Sequence, residues 1–93
     1  MFVAKVLKDM EGAMMPNDIE SRIKKDISMF YDSIKTIDQK ELTKEEKSVV
    51  GLSEMYAEDS QSYLEKGDLA TSFSCISYAH GLLDAIKKIK GKD

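Results

Sequence analysis

The sequence is poor in the residue types that build disulfide frameworks, zinc sites and turn-rich folds. Its 93 residues include one cysteine, one histidine, one proline, five glycines and no tryptophan. A lone cysteine forms no internal disulfide, and one cysteine with one histidine does not give the ligand spacing of a zinc site. The single cysteine also fits a reducing compartment. We therefore expect a cytoplasmic protein with no disulfide and no cofactor.

Charge and hydropathy exclude two further classes of partner. The formal net charge is −3, whereas general nucleic-acid binding needs a basic surface. Lys5, Lys8 and Asp9 interrupt the apolar residues near the N-terminus before the core of a signal peptide is formed. No stretch reaches the run of about 18 apolar residues that a membrane span needs. We expect neither nucleic acid nor a membrane among the partners.

Helical periodicity is what the sequence does contain. Apolar residues recur every three or four positions over about residues 18–38, 44–66 and 69–90, which predicts three long helices. Their short connections predict an all-α, up-down-up antiparallel three-helix bundle. The third helix has the widest apolar arc and is expected at the centre. Residues 16–93 form this single domain, and residues 1–15 form an N-terminal arm with a short helix.

Capping residues and a glycine mark the predicted helix ends. The expected N-terminal caps are Asn17 or Asp18 for the first helix, Thr43 with Glu46 as a capping box for the second, and Asp68 for the third. Gly67 supplies the left-handed residue that ends the second helix. Because Asp68 follows it directly, the second and third helices form a tight hairpin.

The second helix is expected to bury one apolar face. This face consists of Val49, Leu52, Tyr56, Tyr63 and Leu64, flanked by Val50 and Ala57. Ser53 and Ser60 lie within it. Because a serine in a helix can donate to a carbonyl one turn earlier, we expect neither serine to need a partner on another helix.

A row of small residues runs along the third helix and includes a mid-helix glycine, which costs about 1 kcal/mol relative to alanine. The row consists of Ala70, Ser74, Ser77, Gly81 and Ala85. Small side chains let another backbone approach, so we expect a close helix crossing here, within the hairpin or against a partner. On this expectation Gly81→Leu overpacks the contact and destabilises the fold by ~1–3 kcal/mol. The alternative is a groove left open for a ligand.

His80, the only histidine, is the strongest single candidate for chemistry. Asp84 follows one turn later, and such a pair can share a hydrogen bond or begin a metal site, with Tyr78 or Tyr63 completing a ligand pocket. The spacing indicates no third metal ligand. The structural interpretation is that the ring packs on Phe73 while its nitrogen meets Asp84 or a tyrosine.

The remaining candidates are a cysteine, a lysine cluster and the arm. Cys75 lies on the apolar arc of the third helix and is expected to be inert packing. Lys87, Lys88, Lys90 and Lys92 complement the helix dipole and form the cluster that would meet an anionic partner. The candidates for a protein interaction are Phe2, Val6, Met10 and Met14 of the arm, with Ser77 and Gly81 of the third helix.

Residues 63–85, YLEKGDLATSFSCISYAHGLLDA, resemble the archaeal domain-of-unknown-function family 357 in the YLEKGD turn and the YAHGLLDA end of the last helix. The resemblance implies an archaeal, cytosolic, all-helical bundle and no established activity. The LEKGD turn and the helix after it are also similar to the HEPN superfamily of nucleotide-binding and RNase helical domains. HEPN ribonucleases use an arginine followed closely by a histidine. Here the only arginine, Arg22, lies on a different helix from His80, so the resemblance extends to the scaffold alone.

The function expected from the sequence is a non-enzymatic interaction module that pairs with itself or with a larger protein. The apolar arm and the thin core of a 93-residue chain support this expectation. The alternatives are a small-ligand or metal site around His80 and Asp84, and an RNA-associated scaffold of the HEPN type without its RNase motif.

Overall fold

The computed structural model describes residues 16–91 of the chain. These residues form three α-helices, α1 (Pro16–Ile34), α2 (Lys44–Glu65) and α3 (Leu69–Ile89), and a short 3-10 helix at Gln39–Glu41. They contain no strand, so the prediction of an all-α fold with three helices is confirmed. The predicted arm, with Phe2, Val6, Met10 and Met14, lies outside the described residues, as does Lys92.

Local capping builds the α2–α3 hairpin as the sequence predicts. The Thr43 hydroxyl accepts a hydrogen bond from the Glu46 amide at 3.1 Å, and the Glu46 carboxylate accepts one from the Thr43 amide at 2.9 Å. Gly67 follows the end of α2 with a φ of 82°, in the left-handed region that favours glycine. Asp68 then caps α3 by accepting from the Thr71 amide at 3.1 Å. Because the stop and the start are adjacent, α3 turns straight back along α2.

The bounds of α1 differ from the predicted ones at both ends. The helix begins at Pro16, whose fixed φ suits the first turn. Asn17 and Asp18 therefore lie inside the first turn and do not precede it, as a cap would. The helix ends at Ile34 and not near residue 38, because the next amides bond back three residues in a tighter turn that leads to the 3-10 helix.

Contacts between side chains give the directions of the helices. The contact pairs are Asp26–His80 and Ser33–Lys87 between α1 and α3, and Ser60–Ser72 and Tyr56–Tyr78 between α2 and α3. Residue numbers rise together in the first two pairs, so α1 and α3 point the same way. They change in opposite senses in the other two, so α2 runs antiparallel to α3. Of the three helices, α3 makes the most contacts with the other two, as its wide apolar arc predicts.

The core combines large apolar side chains of α1 and α3 with small side chains of α2. Its fully buried members include Ile23 and Phe30 from α1, Ile76, Ala79 and Leu83 from α3, and Ala57 from α2. Burying each large side chain contributes about 1.5–3 kcal/mol. Because a domain of this size has a small core, each of these residues matters to its stability.

The buried face of α2 is centred on the small and flanking residues of the predicted face. Its buried residues are Val50, Ser53, Ala57 and Ser60. Leu52, from the predicted apolar face, is 39% exposed. The other predicted members, Val49, Tyr56, Tyr63 and Leu64, are only half-buried. Val49, Tyr56 and Leu64 still pack against the core, so the predicted face is the buried one. Its centre differs because the prediction ranked positions by their apolar size, whereas α2 approaches α3 along a row of small residues.

Two buried serines hold α2 and α3 at close range. The Ser60 hydroxyl donates to the Ser72 carbonyl at 2.8 Å, and the Ser72 hydroxyl donates to the Ser60 carbonyl at 2.7 Å. Both side chains are fully buried, so the expectation that Ser60 needs no partner on another helix is wrong. Ser53 does behave as expected, because its hydroxyl donates to the Val50 carbonyl at 2.6 Å. Each reciprocal bond contributes about 1 kcal/mol net.

The row of small residues on α3 does not form the expected close crossing within the hairpin. Its members, Ala70, Ser74, Ser77, Gly81 and Ala85, are all exposed. No heavy atom lies within 4 Å of the place that a Cβ would take at Gly81. The close contact lies on another side of α3, at Ser72. The expectation for the hairpin is therefore wrong, and a crossing against a partner stays a prediction.

Gly81→Leu is accordingly expected to stabilise the protein, which reverses the effect expected from the sequence. The leucine has space, and it favours the helix over glycine by about 0.5–1 kcal/mol. Urea unfolding followed by circular dichroism measures the change. Leu83→Ala is the reference, because Leu83 is fully buried and its truncation should lower the free energy of unfolding by about 2–5 kcal/mol. A lower urea midpoint for Gly81→Leu would contradict this prediction and support a close helix crossing at Gly81.

Ser72→Leu tests the serine contact. The larger side chain should push α2 away from α3 and lower the free energy of unfolding by about 1–3 kcal/mol. Ser74→Leu is the matched control, because Ser74 lies two residues further along the same helix and is exposed. Its effect should stay within about 0.5 kcal/mol. Equal melting temperatures for the two variants would show that the fold does not need this close approach.

Candidate functional site

His80 fastens α3 to α1. Its Nε2 lies 2.8 Å from the carbonyl oxygen of Asp26, and its ring packs edge-on against Phe30 with the centroids 5.7 Å apart. A carbonyl oxygen only accepts, so Nε2 carries the hydrogen. The predicted partners were wrong: the ring partner is Phe30 and not Phe73, and the polar partner is a backbone carbonyl and not Asp84 or a tyrosine. The reason is that His80 lies on the side of α3 that faces α1, so its partners come from α1.

The His80–Asp84 pair does not extend to a metal site within the described part of the chain. Asp84 is exposed, and the Nε2 atom of His80 is engaged with α1. Among residues 16–91, no three His, Cys, Asp or Glu side chains are grouped so that they would hold a metal ion. The pair therefore offers one exposed carboxylate and one histidine whose position is explained by packing.

Tyr78 points to the other side of α3. Two residues separate it from His80, which is about 200° around a helix. Its ring contacts Tyr56 of α2 with the centroids 4.6 Å apart, and 52% of its surface is exposed. On α2, the Lys66 ammonium lies over the Tyr63 ring, 5.3 Å from the centroid of that ring. Neither tyrosine joins His80 in a ligand pocket.

Cys75 is a half-buried thiol on α3. Burial, with Asp59 and Asp68 nearby, raises the pKa of this thiol above its ordinary value of 9.0. The thiol is therefore protonated at neutral pH and is a poor nucleophile. This agrees with the inert packing role expected from the sequence.

Two lysines of the C-terminal cluster, Lys87 and Lys90, bind residues outside α3, and we call these contacts the clamp. Lys87 donates to the Ser33 hydroxyl of α1. Lys90 donates to the Glu41 carbonyl at 2.7 Å and pairs with the Glu46 carboxylate at 2.8 Å. These contacts fasten the end of α3 to α1 and to the start of α2. Since they engage half of the cluster, they weigh against the RNA-associated alternative.

An open groove of about 610 Å³ runs along one side of α1. Its described lining consists of Asp18, Ser21, Arg22, Lys25, Asp26 and Met29. Two carboxylates and two cations line it, which is typical of a solvated helix side with neighbouring opposite charges. The lining therefore does not favour one sign of ligand charge.

An apolar face remains on the hairpin. We call it the hairpin face, and it consists of Leu52 and Tyr56 on α2 with Tyr78, Leu82 and Ile89 on α3. Ile89 is 67% exposed and Leu52 39% exposed. These residues are absent from the predicted set of interaction residues, because the sequence pattern assigned Leu52 and Tyr56 to the core.

The hairpin face is turned away from α1. Tyr31 of α1 is half-buried, and burial together with the nearby Glu58 and Glu54 carboxylates raises the pKa of its hydroxyl above the ordinary value of 10.0. The side of α2 that carries these glutamates therefore faces α1. Glu54 is two residues from Leu52, or about 200° around the helix. Leu52 and Tyr78 accordingly lie on the side of the hairpin opposite α1.

The exposed surface of α3 is uncharged over most of the helix. From Leu69 to Leu83 the sequence LATSFSCISYAHGLL contains no Asp, Glu, Lys or Arg. Five of these positions are nevertheless exposed, namely Ala70, Ser74, Ser77, Tyr78 and Gly81. Charged residues make up 33% of the chain, and the solvent side of a surface helix normally carries many of them. This side of α3 is therefore unlike the rest of the surface.

The fold and these contacts define a small helical-bundle protein with an uncharged outer surface on its last helix. A family model described as "Protein of unknown function (DUF357)" matches residues 25–91. The chain therefore belongs to the DUF357 family, as its YLEKGD and YAHGLLDA motifs indicated. A comparison with curated proteins gives no match. None of the described helices is both long enough and apolar enough to cross a bilayer.

Acid is expected to weaken the clamp at Lys90. The Lys90 hydrogen bond, followed by the bond from the Thr43 amide, holds the pKa of Glu46 below its ordinary value of 4.5. Because the folded-state pKa is the lower one, this carboxylate stabilises the fold fully above about pH 4.5, and its contribution is lost as the pH falls through the folded-state pKa. Melting temperatures of the wild type and Glu46→Gln should therefore converge as the pH is lowered below 4.5.

Glu58→Gln is the control for this comparison, because Glu58 is an exposed carboxylate of the same helix and lies outside the capping box. Its melting temperature should follow that of the wild type over the same pH range. A Glu46→Gln difference that stays constant with pH would contradict the assigned role of the Glu46 charge.

Proposed function

We propose that the protein is a non-enzymatic interaction module that docks protein partners through the uncharged side of α3 and the adjoining hairpin face. The observation that carries the proposal is the run from Leu69 to Leu83, which exposes five residues to water and carries no charged side chain. Depletion of charge with retention of aromatic residues is typical of the central part of protein interfaces.

Exposed apolar side chains beside this run support the same proposal. Met55 and Ile89 are 60% and 67% exposed, and Tyr78 is 52% exposed. Contiguous apolar surface on a small monomer commonly marks a binding region. Tyr78 is the natural anchor, because tyrosine is enriched among the residues that dominate binding energy.

The groups that would carry chemistry have structural roles, which supports a non-enzymatic function. His80 binds a backbone carbonyl of α1, and Lys90 binds Glu41 and Glu46. The thiol of Cys75 has a raised pKa. The single cysteine and the composition also favour the cytoplasm as the site of action, and a cytoplasmic location and an archaeal source stay predictions.

Tyr78→Glu tests the proposal. A charge at the centre of the docking surface should weaken association by about tenfold or more, because an anchor residue is lost and a carboxylate is desolvated. Ser28→Glu is the matched control, since Ser28 is exposed on α1. The measurements are the mass of each full chain by sedimentation velocity and affinity purification with each chain as bait from the source cells.

The expected result is an assembly, of the chain with itself or with a partner, that the wild type and Ser28→Glu form and Tyr78→Glu does not. The melting temperatures of the three chains should be similar. Identical assemblies for all three chains, or monomers without any retained partner, would reject the interaction module.

A further inference from the structure

We infer that the occupant of the hairpin face is a second copy of this chain, packed about a two-fold axis that lies in the face and runs across α2 and α3. This inference rests on the proposed function and names its partner. The Tyr56 and Tyr78 rings are 4.6 Å apart, so they mark the same level on the two helices. An axis at that level places each helix against its own counterpart in the opposite direction.

Charges at the two ends of α2 suit this arrangement. Glu45, Leu52, Asp59 and Lys66 follow one another at seven-residue spacing, which keeps them along one side of the helix within about 20° per step. Lys66 reaches over the Tyr63 ring on this side. Glu45 and Lys66 lie equally far from the level between Met55 and Tyr56, about 16 Å along the helix. The axis therefore brings Glu45 of each copy to Lys66 of the other.

The contribution of α3 is aromatic and uncharged. Tyr78 lies at the level of the axis, so the two copies of Tyr78 meet, and aromatic pairs of this kind are favourable beyond their buried area. Because α3 carries no charge from Leu69 to Leu83, reversing its direction against itself creates no like-charge contact. A different protein as partner would not require the charges at the two ends of α2 to complement each other across a two-fold axis.

Helix α1 lies on the other side of the hairpin. The contacts of Asp26 with His80 and of Ser33 with Lys87 place α1 opposite the hairpin face. By the same spacing, Pro16 lies level with Ala70, at the end of the bundle near Gly67. A second copy can therefore meet the hairpin face without displacing α1.

The axis places Asp59 unfavourably, because its carboxylate comes near Leu52 of the other copy. Removing this charge should therefore strengthen the dimer. Asp59→Asn is expected to lower the dimer Kd, by about threefold or more at low salt, since a partly desolvated carboxylate no longer faces an apolar side chain.

Charge reversal on the full chain tests the register. Glu45→Lys or Lys66→Glu alone should raise the dimer Kd by about three- to tenfold at low salt, and the double variant should return to within about twofold of the wild type. Glu58→Lys is the matched control and should leave Kd unchanged, because Glu58 lies on the side of α2 that faces α1. Sedimentation equilibrium measures each Kd.

A covalent test reports the axis directly. In a Cys75→Ser background, Met55→Cys, which lies at the level of the axis and keeps the Tyr78 anchor, should form a disulfide-linked dimer under mild oxidation with oxidised glutathione, and Ser28→Cys should not. A wild type that is monomeric up to about 200 μM overturns the inference, and it leaves the proposed function intact if Tyr78→Glu still abolishes binding of another protein. A dimer whose Kd does not change with the charge reversals and that does not cross-link at residue 55 also overturns it.

Discussion

The close approach of α2 and α3 at Ser60 and Ser72 is the constraint on which the rest of the structure depends. Each hydroxyl donates to the backbone carbonyl of the other residue, at 2.8 and 2.7 Å, so the two helix backbones are held near each other. Only small side chains permit this distance. The rotation of α2 is therefore set by its serines and Ala57 and not by its largest apolar residues. The short connection at Gly67 also fixes the register of α3 against α2, because it is too short to let one helix slide along the other.

This rotation explains why a small protein leaves apolar residues on its surface. Burial of Leu52 would stabilise the chain by roughly 1.5–3 kcal/mol, but turning it inward would move Ser60 away from Ser72 and leave polar groups without partners in the core. Unsatisfied buried polar groups cost about 1–3 kcal/mol each. The serine contact therefore offsets what Leu52 would gain, and Leu52 and Tyr56 stay beside Tyr78 at the edge of the core.

The sequence predicts those parts of the fold that depend on local chemistry. The capping box at Thr43, the left-handed Gly67 and the cap at Asp68 follow from neighbouring residues, and all three are confirmed. Which residues lie at the centre of a buried side depends on distant partners, and here the apolar pattern placed Leu52 in the core although it is 39% exposed. Two serines separated by twelve positions give no signal of their pairing, and the carbonyl that binds His80 belongs to a residue 54 positions away. The hairpin face was missed for the same reason, because its α2 residues were assigned to the core.

The two sides of α3 show how the bundle separates its structural contacts from its outer surface. Toward α1 it carries His80 and Lys87, which bind a backbone carbonyl and a hydroxyl and so hold α1 in register. On the opposite side, about 200° from His80, it carries Tyr78 within an uncharged surface. A hairpin that is covered by a helix on one face and apolar on the other has the form of an incomplete four-helix bundle. No further helix among residues 16–91 covers this second face, which is why the proposed partners are placed there.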